Sequence, residues 1–273
     1  MTTSFTAAGQ AQGRRNPDGV LFRSESLSKS FGGVHAVRDI SLNIAHGGVF
    51  AIIGPNGAGK STLLNLMSGL YQPNSGTMNL DGVDIVGLPA HRRVRLGLAR
   101  TFQKIRLFKH LPVLDNVLAG FHIHHDIPAW QYVAHGTAFR QDYARCRDEA
   151  SKLLTFVGLD GRAKARAGSL PYGEQRMLEL ARALATSPRL LLVDEPAAGL
   201  NAAEVEKLLD RITQLRAGGM TIVIVEHNMD LVMGVSDRVA VLQHGRRLAE
   251  GTPAEVSRDP AVVAAYLGDD DGG

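Results

Sequence analysis

The chain has 273 residues, enough for one large domain or a domain with a subdomain, and its net charge of +3 does not indicate nucleic acid as a partner. A single cysteine, Cys146, excludes an internal disulfide framework and is typical of a reducing compartment. No apolar run reaches the roughly 18 residues of a membrane-spanning helix, and the N-terminus lacks the apolar core of a signal peptide. We therefore expect a cytosolic protein or one docked on a membrane protein.

The two ends of the chain differ from its middle in composition. Residues 1–19 are rich in Gly, Thr, Ala and Gln, which predicts a mobile tail. Residues 269–273 consist of Asp and Gly and predict a solvated end. The stretch 20–268 is then predicted to form one domain.

Short apolar runs recur along this domain and predict the strands of a buried sheet. Four runs are continuous rather than alternating, which indicates strands covered on both faces: 49–53, 190–193, 221–225 and 239–242. Helical patterns lie between them, so the core is predicted to be α/β. Three further runs alternate better or end in a turn, and they predict an antiparallel flank: 20–27, 40–44 and 77–80.

Residues 105–168 predict a helical subdomain inserted in the α/β core. This stretch has no convincing buried strand, and within it AFRQDYARCRDEASKLLTFVGL predicts a helix that Gly158 ends. The histidines of HIHHD (122–126) raise the alternative of a metal site. Without supporting cysteines or carboxylates we interpret them as solvated. Cys146 lies in a charged helical pattern and shows no sign of catalysis.

The strongest chemical signal is the run GPNGAGKST, which fits the phosphate-binding pattern G-x-x-x-x-G-K-[ST] in full. It follows a predicted strand and precedes a predicted helix, as a phosphate loop requires; the alternative is a glycine turn that contains GKST by chance. Glycines let the backbone turn its N–H groups towards phosphate oxygens. The residues predicted to bind the nucleotide here are Gly54, Pro55, Asn56, Gly57, Ala58, Gly59, Lys60, Ser61 and Thr62.

Three side chains of this loop are predicted to have separate roles. Lys60 is expected to reach the β- and γ-phosphates. The hydroxyl of Ser61 is expected to hold Mg²⁺, and Thr62 to help bind phosphate. The positive end of the helix that follows favours the same anion.

Two carboxylates end the buried run LLLVDEP. Asp194 is placed to hold Mg²⁺, directly or through water, together with Ser61. Glu195 is placed to orient or deprotonate an attacking water. The alternative is that DEP is a polar strand end before a proline turn. His227 follows the next apolar run, and we expect it to donate to the γ-phosphate or hold the water.

The order of the motifs identifies a family. GPNGAGKST, ARTFQ, LPYGEQ, LLLVDEP, AAGLN and EHN follow one another along the chain. From about residue 20 to residue 268 the chain resembles the ATP-binding subunit of an ABC transporter. LPYGEQRMLELARAL, DEPAAGLN, IVIVEHNMDLVM and GTPAEVSRDPAVVAAYLG resemble the branched-chain amino acid importers in particular. The implied fold is a P-loop NTPase (ABC ATPase) core with an antiparallel β subdomain and an inserted helical subdomain.

The resemblance implies roles for residues outside the phosphate loop. Phe31 is implied to stack on adenine, and an ordinary core aromatic is the alternative. Gln103 is implied to meet Mg²⁺ or its water, to take part in catalysis and to link the nucleotide site to the helical subdomain. The residues Tyr172, Gly173 and Glu174 belong to LPYGEQ, the counterpart of a signature (LSGGQ) that faces the nucleotide of a second subunit.

Three positions depart from the family pattern. Pro171 cannot supply the hydroxyl of the usual serine, a loss of about 1–3 kcal/mol in the closed state if a charge-assisted hydrogen bond is missing. Tyr172 stands where the family has a glycine, while Gly173 and the helix N-terminus still favour an anion. We therefore expect an altered but working signature. Asn201 stands where the family frequently has an aspartate. Whether the two nucleotide sites of a pair communicate in the usual way is therefore left open.

The resemblance implies an ATPase that uses ATP and Mg²⁺ to power import of branched-chain or other hydrophobic amino acids. The implied partners are a second ABC ATPase subunit (a related chain rather than a copy), two membrane-spanning permease subunits and, indirectly, a substrate-binding protein. The chain would lie peripherally on the cytoplasmic face of the membrane. Alternatives are the ATPase of lipopolysaccharide export, a soluble ABC ATPase outside transport, and a nucleotide-binding module without hydrolysis.

Overall fold

Two sheets of different strand direction organise the chain. The computed structural model describes residues 19–124 and 137–267. The first sheet is antiparallel with the order β2-β1-β4-β5. Its strands are β1 (Val20–Phe31), β2 (Val34–Ala45), β4 (Ser75–Leu80) and β5 (Val83–Asp84). The antiparallel flank is confirmed, with β1 and β2 longer than their apolar runs because they continue as a hairpin around Gly32 and Gly33.

The second sheet carries the buried strands of the core. Its order is β10-β9-β3-β8-β7-β6, parallel except for β10 at one edge. The strands are β3 (Gly48–Ile53), β6 (Leu98–Arg100), β7 (Leu190–Asp194), β8 (Thr221–Val225), β9 (Arg238–Gln243) and β10 (Arg246–Gly251). Every residue of β7 and β8 is buried, as expected for strands covered on both faces. The predicted α/β class is thus confirmed.

Some helices pack against this sheet, and others form a separate helical layer beside it. They are α1 (Lys60–Met67), α2 (Ala90–Arg95), α3 (Val113–Phe121), α4 (Thr137–Phe156), α5 (Tyr172–Leu184), α6 (Ala202–Ala217), α7 (Met229–Val235), α8 (Pro253–Val256) and α9 (Pro260–Leu267). Among the helices of the described residues, none combines the length and the apolar character that crossing a membrane requires.

In the helical layer, α3 and α4 pack against α5. An apolar cluster that includes Val117, Leu153 and Leu178 joins the three helices. Gly120 allows α3 to lie close to α5, because an added Cβ would come within 2.5 Å of the Arg182 carbonyl oxygen. The helix predicted before Gly158 is α4, and the segment after it turns through Gly158 at φ +75°. In HIHHD, His125 and Asp126 lie outside the described residues.

Parallel strands bring the candidate site together. In the core sheet β3 lies beside β8, and β8 lies beside β7, all running in the same direction. The segments that follow their carboxyl ends therefore meet at one edge of the sheet. These segments are the loop from Gly54, the acidic pair at 194–195 and the residues after Val225.

Candidate functional site

The loop from Gly54 to Gly59 approaches the backbone of β9 at its first residue and the backbone of β2 at its last. Gly54 has φ +145°, and an added Cβ would lie 2.1 Å from the Leu242 carbonyl oxygen. Gly59 has φ +102°, and its Cβ would lie 2.3 Å from the Ala36 carbonyl oxygen. Any side chain at these two positions would therefore clash with backbone. The sequence needs glycine here both for its conformation and for the close approach.

Lys60 opens α1 and folds back over this loop. Its ammonium group donates to the carbonyl oxygens of Gly54 at 2.6 Å and Pro55 at 3.0 Å. Burial lowers the pKa of Lys60, while the negative charges of Glu195 and Asp194 act in the opposite direction. The lysine is thus held by neutral carbonyls, which an anionic phosphate can replace as a stronger partner. Ser61, exposed in the first turn of α1, stands beside it.

Asp194 is fixed by an arginine that the motifs did not indicate. Arg100, at the end of β6, donates from Nη2 to Asp194 Oδ2 at 2.8 Å, and both side chains are almost fully buried. The other terminal nitrogen donates to Asn65 Oδ1 of α1 at 2.7 Å and to the Oγ of Ser68, the C-cap residue of α1, at 2.9 Å. Arg100 therefore connects the acidic strand end to the helix that follows the phosphate loop.

Glu195 and Gln103 meet directly, as their predicted roles require. Gln103 donates from Nε2 to Glu195 Oε2 at 2.6 Å. Glu195 has φ +43°, a left-handed conformation that costs a residue other than glycine about 1–3 kcal/mol. Its backbone N–H donates to the Val225 carbonyl oxygen at 2.9 Å, which anchors this turn on β8. The carboxylate of Glu195 is thus aimed away from β7 towards the segment that carries Gln103.

His227 lies one residue after a fully buried carboxylate. The side chain of His227 is 61% exposed, whereas that of Glu226 is inaccessible to solvent. Glu226 accepts from the His227 N–H at 3.2 Å and from the Ala197 N–H at 3.0 Å. One carboxylate therefore fixes the backbone of His227 and of the AAGLN segment after Glu195, while the imidazole stays exposed to a ligand.

The altered signature begins α5. Pro171 is the N-cap residue, and its carbonyl oxygen accepts from the Gln175 N–H at 2.9 Å. Tyr172 lies against Gly199, since a Cβ at Gly199 would be 3.0 Å from its ring. Gly173 is buried against Glu204, leaving no space for a Cβ. Glu174 is half-buried and lies 3.5 Å from Arg162. In the single chain the signature thus contacts the segment that follows Glu195.

Asn201, which stands where the family frequently has an aspartate, has a structural role as a helix cap. It is the N-cap residue of α6, and its side chain accepts from the Glu204 N–H at 3.0 Å. The Glu204 carboxylate accepts in return from the Asn201 N–H at 3.0 Å, which completes a capping box. Because the same carboxylate lies against Gly173, the box also joins α6 to the start of α5.

Phe31 ends β1 with its ring 42% exposed. It packs edge-on against Tyr71, with ring centroids 5.2 Å apart, and the Lys29 ammonium lies 5.2 Å from its centroid. The hairpin that it begins passes the phosphate loop at Ala36, the residue that Gly59 approaches. A partly exposed aromatic side chain therefore lies near the loop, and adenine stacking by Phe31 stays a prediction.

The donor set at the sheet edge is suited to Mg²⁺. Arg100 occupies only one carboxylate oxygen of Asp194, and Gln103 bonds Glu195 through its nitrogen. Asp194 Oδ1, the Gln103 amide oxygen and the Ser61 hydroxyl are thus available as the hard oxygen ligands that Mg²⁺ prefers.

Four charged residues of this region were missed by the sequence analysis. Arg100 and Glu226 were part of quoted motifs but received no role, although each directly follows or ends a buried strand. Arg176 and Glu179 lie three residues apart within α5, both along one flank of the buried stripe of Met177, Leu180, Ala181 and Leu184. The sequence signal that could have identified this pair is an arginine and a glutamate three residues apart within a helix that is mostly buried.

Comparisons with known proteins agree with the motifs and the fold. The family model described as "ABC transporter" matches residues 37–198. A second model, "Branched-chain amino acid ATP-binding cassette transporter", matches residues 246–272.

Individual relatives cover almost the whole chain. The high-affinity branched-chain amino acid transport ATP-binding protein BraF of Pseudomonas aeruginosa is 42% identical over 91% of this chain and 98% of its own. The corresponding LivG of Salmonella typhimurium is 41% identical with the same coverage. The crystal structure of the ADP conformation of MJ1267, an ATP-binding cassette of an ABC transporter, has a TM-score of 0.79 and 30% identity, covering 91% of this chain and 99% of MJ1267. The chain therefore belongs to the ABC transporter family, as one of its ATP-binding proteins.

Proposed function

We propose that this chain binds and hydrolyses ATP to power the import of branched-chain or other hydrophobic amino acids through separate permease subunits. The observation that carries the proposal is the 2.6 Å bond between Gln103 and Glu195, at the sheet edge that also holds Lys60 and Asp194. This arrangement supports the proposed roles of Glu195 as base, Gln103 as water-orienting amide and Lys60 as phosphate-binding cation of one site. A nucleotide-binding module without hydrolysis has no use for such a set.

Phosphate binding belongs to the loop and the start of α1. The backbone N–H groups of the loop surround the phosphates, and Lys60 exchanges its carbonyl partners for phosphate oxygens. Ser61, Asp194 and Gln103 would hold Mg²⁺, which neutralises charge on the β- and γ-phosphates when bound. Thr62 adds a hydroxyl, and the Phe31 ring stacks on adenine.

Water activation belongs to Glu195. Its carboxylate accepts a proton from the attacking water, and Gln103 orients both groups. His227 donates from its exposed imidazole to the γ-phosphate, with its backbone held by the buried Glu226. The left-handed turn at Glu195 keeps the carboxylate in position before the nucleotide arrives.

Two ATPase subunits are needed for a complete site. Each nucleotide lies between one phosphate loop and the Tyr172–Gly173–Glu174 signature of the opposite subunit. ATP closes the pair because it contacts both faces, and loss of the γ-phosphate lets them part. The chain carries one phosphate loop, and Pro171 weakens a self-pair, so we favour a related chain as the partner.

We place the permease contact at a cavity between β6, α3 and α5. Its volume is about 470 Å³, and its wall includes Phe108, Gly120 and Arg182. The Phe108 ring is 52% exposed and stacks beneath the Arg182 guanidinium at 5.6 Å. Arg100 and Glu179 also line the cavity, so a permease segment seated there would touch one residue that binds Asp194 and one that accepts from the N–H of Phe102, the neighbour of Gln103. The chain would then lie on the cytoplasmic face of the membrane.

The transported class rests on the relatives. BraF and LivG are named for branched-chain amino acid transport, and the family model at residues 246–272 carries the same description. Lipopolysaccharide export uses the same catalytic motifs, so a measurement of the transported substrate is needed to separate it from amino acid import. The chain, reconstituted in proteoliposomes with the permeases and binding protein of its own transporter, is expected to drive uptake of radiolabelled leucine. No ATP-dependent uptake of leucine, isoleucine or valine would reject this cargo.

The hydrolysis site is tested with Glu195→Gln. This substitution keeps the side-chain volume and an acceptor for Gln103 but removes the base. We expect nucleotide affinity within about twofold of wild type and a loss of steady-state turnover of at least about 10²-fold. Retained hydrolysis in this variant would disprove the assignment of Glu195.

Pairing is tested with the same variant by light scattering, with and without Mg·ATP. We expect a monomer that binds ATP, because the altered signature needs a different partner chain. An ATP-dependent dimer would instead show that Pro171 is compatible with a self-pair.

A further inference from the structure

A buried ion pair in α5 has no part in the chemistry described above. Arg176 and Glu179 lie one helical turn apart, with Nη1 and Oε2 separated by 3.2 Å and side chains only 3% and 2% exposed. Burying two charges requires that both be paired and that most of their remaining hydrogen-bonding groups be satisfied, and within this pair Arg176 Nε has no hydrogen-bond partner. The partners that satisfy them therefore indicate what the pair does.

Those partners are backbone groups of the segment that carries Gln103. Arg176 donates from Nη1 to the Phe102 carbonyl oxygen at 2.7 Å and from Nη2 to the Gln103 carbonyl oxygen at 3.0 Å. Glu179 Oε1 accepts from the N–H groups of Phe102 at 3.4 Å and Arg106 at 3.3 Å. Four hydrogen bonds thus attach residues 102–106 to α5, and the Gln103 side chain remains directed at Glu195.

The attachment changes immediately upstream. The Thr101 N–H donates to the Leu192 carbonyl oxygen of β7 at 2.9 Å, and the Arg100 side chain binds Asp194. Residues up to 101 are therefore tied to the core sheet, whereas residues from 102 are tied to α5.

The pair also contacts the signature. Arg176 Nη2 donates to the Tyr172 hydroxyl oxygen at 3.3 Å, and its guanidinium lies 5.8 Å from the centroid of the Tyr172 ring. The tyrosine that stands in place of the family's glycine thus touches the arginine that binds the Gln103 carbonyl.

We propose that Arg176 and Glu179 are positioning residues that make Gln103 follow α5 and its signature rather than the nucleotide core. A displacement of α5, as the partner's nucleotide reaches the signature, then makes or breaks the contact between Gln103 and Glu195. The proposal rests on the proposed ATPase function for its consequence, but the attachment itself is independent of hydrolysis.

The first test measures the attachment without any activity. In the double variant Arg176→Met with Glu179→Leu, the pair is replaced by apolar side chains of similar size, an exchange that is often neutral for stability. Lys104 and Arg106 lie exposed within the attached segment and are trypsin sites. We expect cleavage after these two residues, measured at a temperature well below the melting point of both proteins and identified by mass spectrometry, to be on the order of 10-fold faster, because four backbone groups of residues 102–106 lose their partners.

The matched control is the exposed pair of α4. Glu149 and Lys152 have the same spacing and a 2.7 Å contact. Glu149→Leu with Lys152→Met is expected to leave cleavage at 104 and 106 at the wild-type rate. A double variant of the buried pair that is also cleaved at that rate would overturn the attachment. If the double variant is too unstable for this comparison, Glu179→Gln is the second variant. Glutamine keeps the size of the side chain and one acceptor oxygen, and trypsin cleavage after Lys104 and Arg106 is measured in the same way.

The second test asks whether the pair acts through Gln103. We expect the double variant to lower kcat on the order of 10-fold with nucleotide affinity unchanged, and to have no further effect in a Gln103→Ala background. Equal losses in both backgrounds would overturn the positioning role. If the wild-type chain hydrolysed no ATP alone or with its partners, the proposed function would fail, while the cleavage assay would still decide the attachment.

Discussion

The residues on either side of Thr101 belong to different parts of the molecule. Arg100 is bound to Asp194, to a residue of α1 and to the C-cap residue of α1, all within the nucleotide core. Phe102, two positions later, is bound through its N–H and its carbonyl group to α5, in the helical layer. The run ARTFQ therefore crosses from one layer to the other within a single residue.

Both attachments use a buried arginine and a buried carboxylate, but they hold different things. On the core side, Arg100 holds a side chain, the Asp194 carboxylate, whose free oxygen is placed for the metal. On the helical side, Arg176 and Glu179 hold backbone and leave the Gln103 side chain to reach Glu195. The contacts on the core side thus fix the position of the Asp194 carboxylate. The contacts on the helical side make Gln103 follow the position of α5. Substitutions on the two sides should differ in what they lose.

The largest effect is expected for Arg100→Met on the core side. This change leaves the Asp194 carboxylate, only 7% exposed, without its cation. Removing one partner of a buried pair destabilises a protein by about 3–5 kcal/mol. Urea denaturation of the nucleotide-free chain measures this loss. Added Mg²⁺ is expected to recover part of the stability, because a cation again faces the carboxylate.

The control for this prediction is Arg145→Met on α4. Arg145 is 73% exposed and pairs with Asp142 at 2.6 Å, so its loss should change the unfolding free energy by less than about 1 kcal/mol. Equal losses of unfolding free energy in Arg100→Met and Arg145→Met would show that the ion pair with Asp194 does not hold Arg100 in the core. The difference between the residues before and after Thr101 would then not be supported.

Local patterns predicted the core side well. The phosphate loop follows from nine consecutive residues with a strand before them and a helix after them. The strands β7 and β8 follow from continuous apolar runs, and parallel pairing then brings Asp194, Glu195 and the segment of His227 to one edge. Each of these steps needs only neighbours in sequence plus the rule for parallel sheets.

The contacts that join the layers could not be predicted in this way. Arg100 reaches Asp194 across 94 residues, and Arg176 reaches Phe102 across 74. Such contacts depend on strand register and helix rotation, which the local pattern does not fix. The three-residue strand β6 that carries Arg100 is too short to show a period. The sequence analysis predicted only that Tyr172 replaces the family's glycine in an altered but working signature, because its contacts with Gly199 and Arg176 lie outside LPYGEQ.

A smaller effect is expected at the segment that connects the two sides. AAGLN follows Glu195 of the core and ends at Asn201, whose capping box touches Gly173 of the signature. Asn201→Ala removes the cap of α6 and should cost about 1 kcal/mol, seen as a lower melting temperature. Asn201→Asp keeps an acceptor oxygen at the positive end of the helix and should match wild type. A loss of equal size in both variants would assign Asn201 a role beyond capping.

The smallest effect is expected for Tyr172→Phe on the helical side. The change removes one hydroxyl, whose 3.3 Å bond to Arg176 lies at a residue 43% exposed, so water can replace it. We expect a loss of about 0.5 kcal/mol and trypsin cleavage after Lys104 within about twofold of wild type. The ring remains against Gly199, and Arg176 keeps both backbone carbonyls. A larger increase in cleavage would mean that the tyrosine hydroxyl, not the buried ion pair alone, holds Arg176 on the Gln103 segment. The residue that departs from the family pattern would then itself be part of the connection between signature and catalytic glutamate.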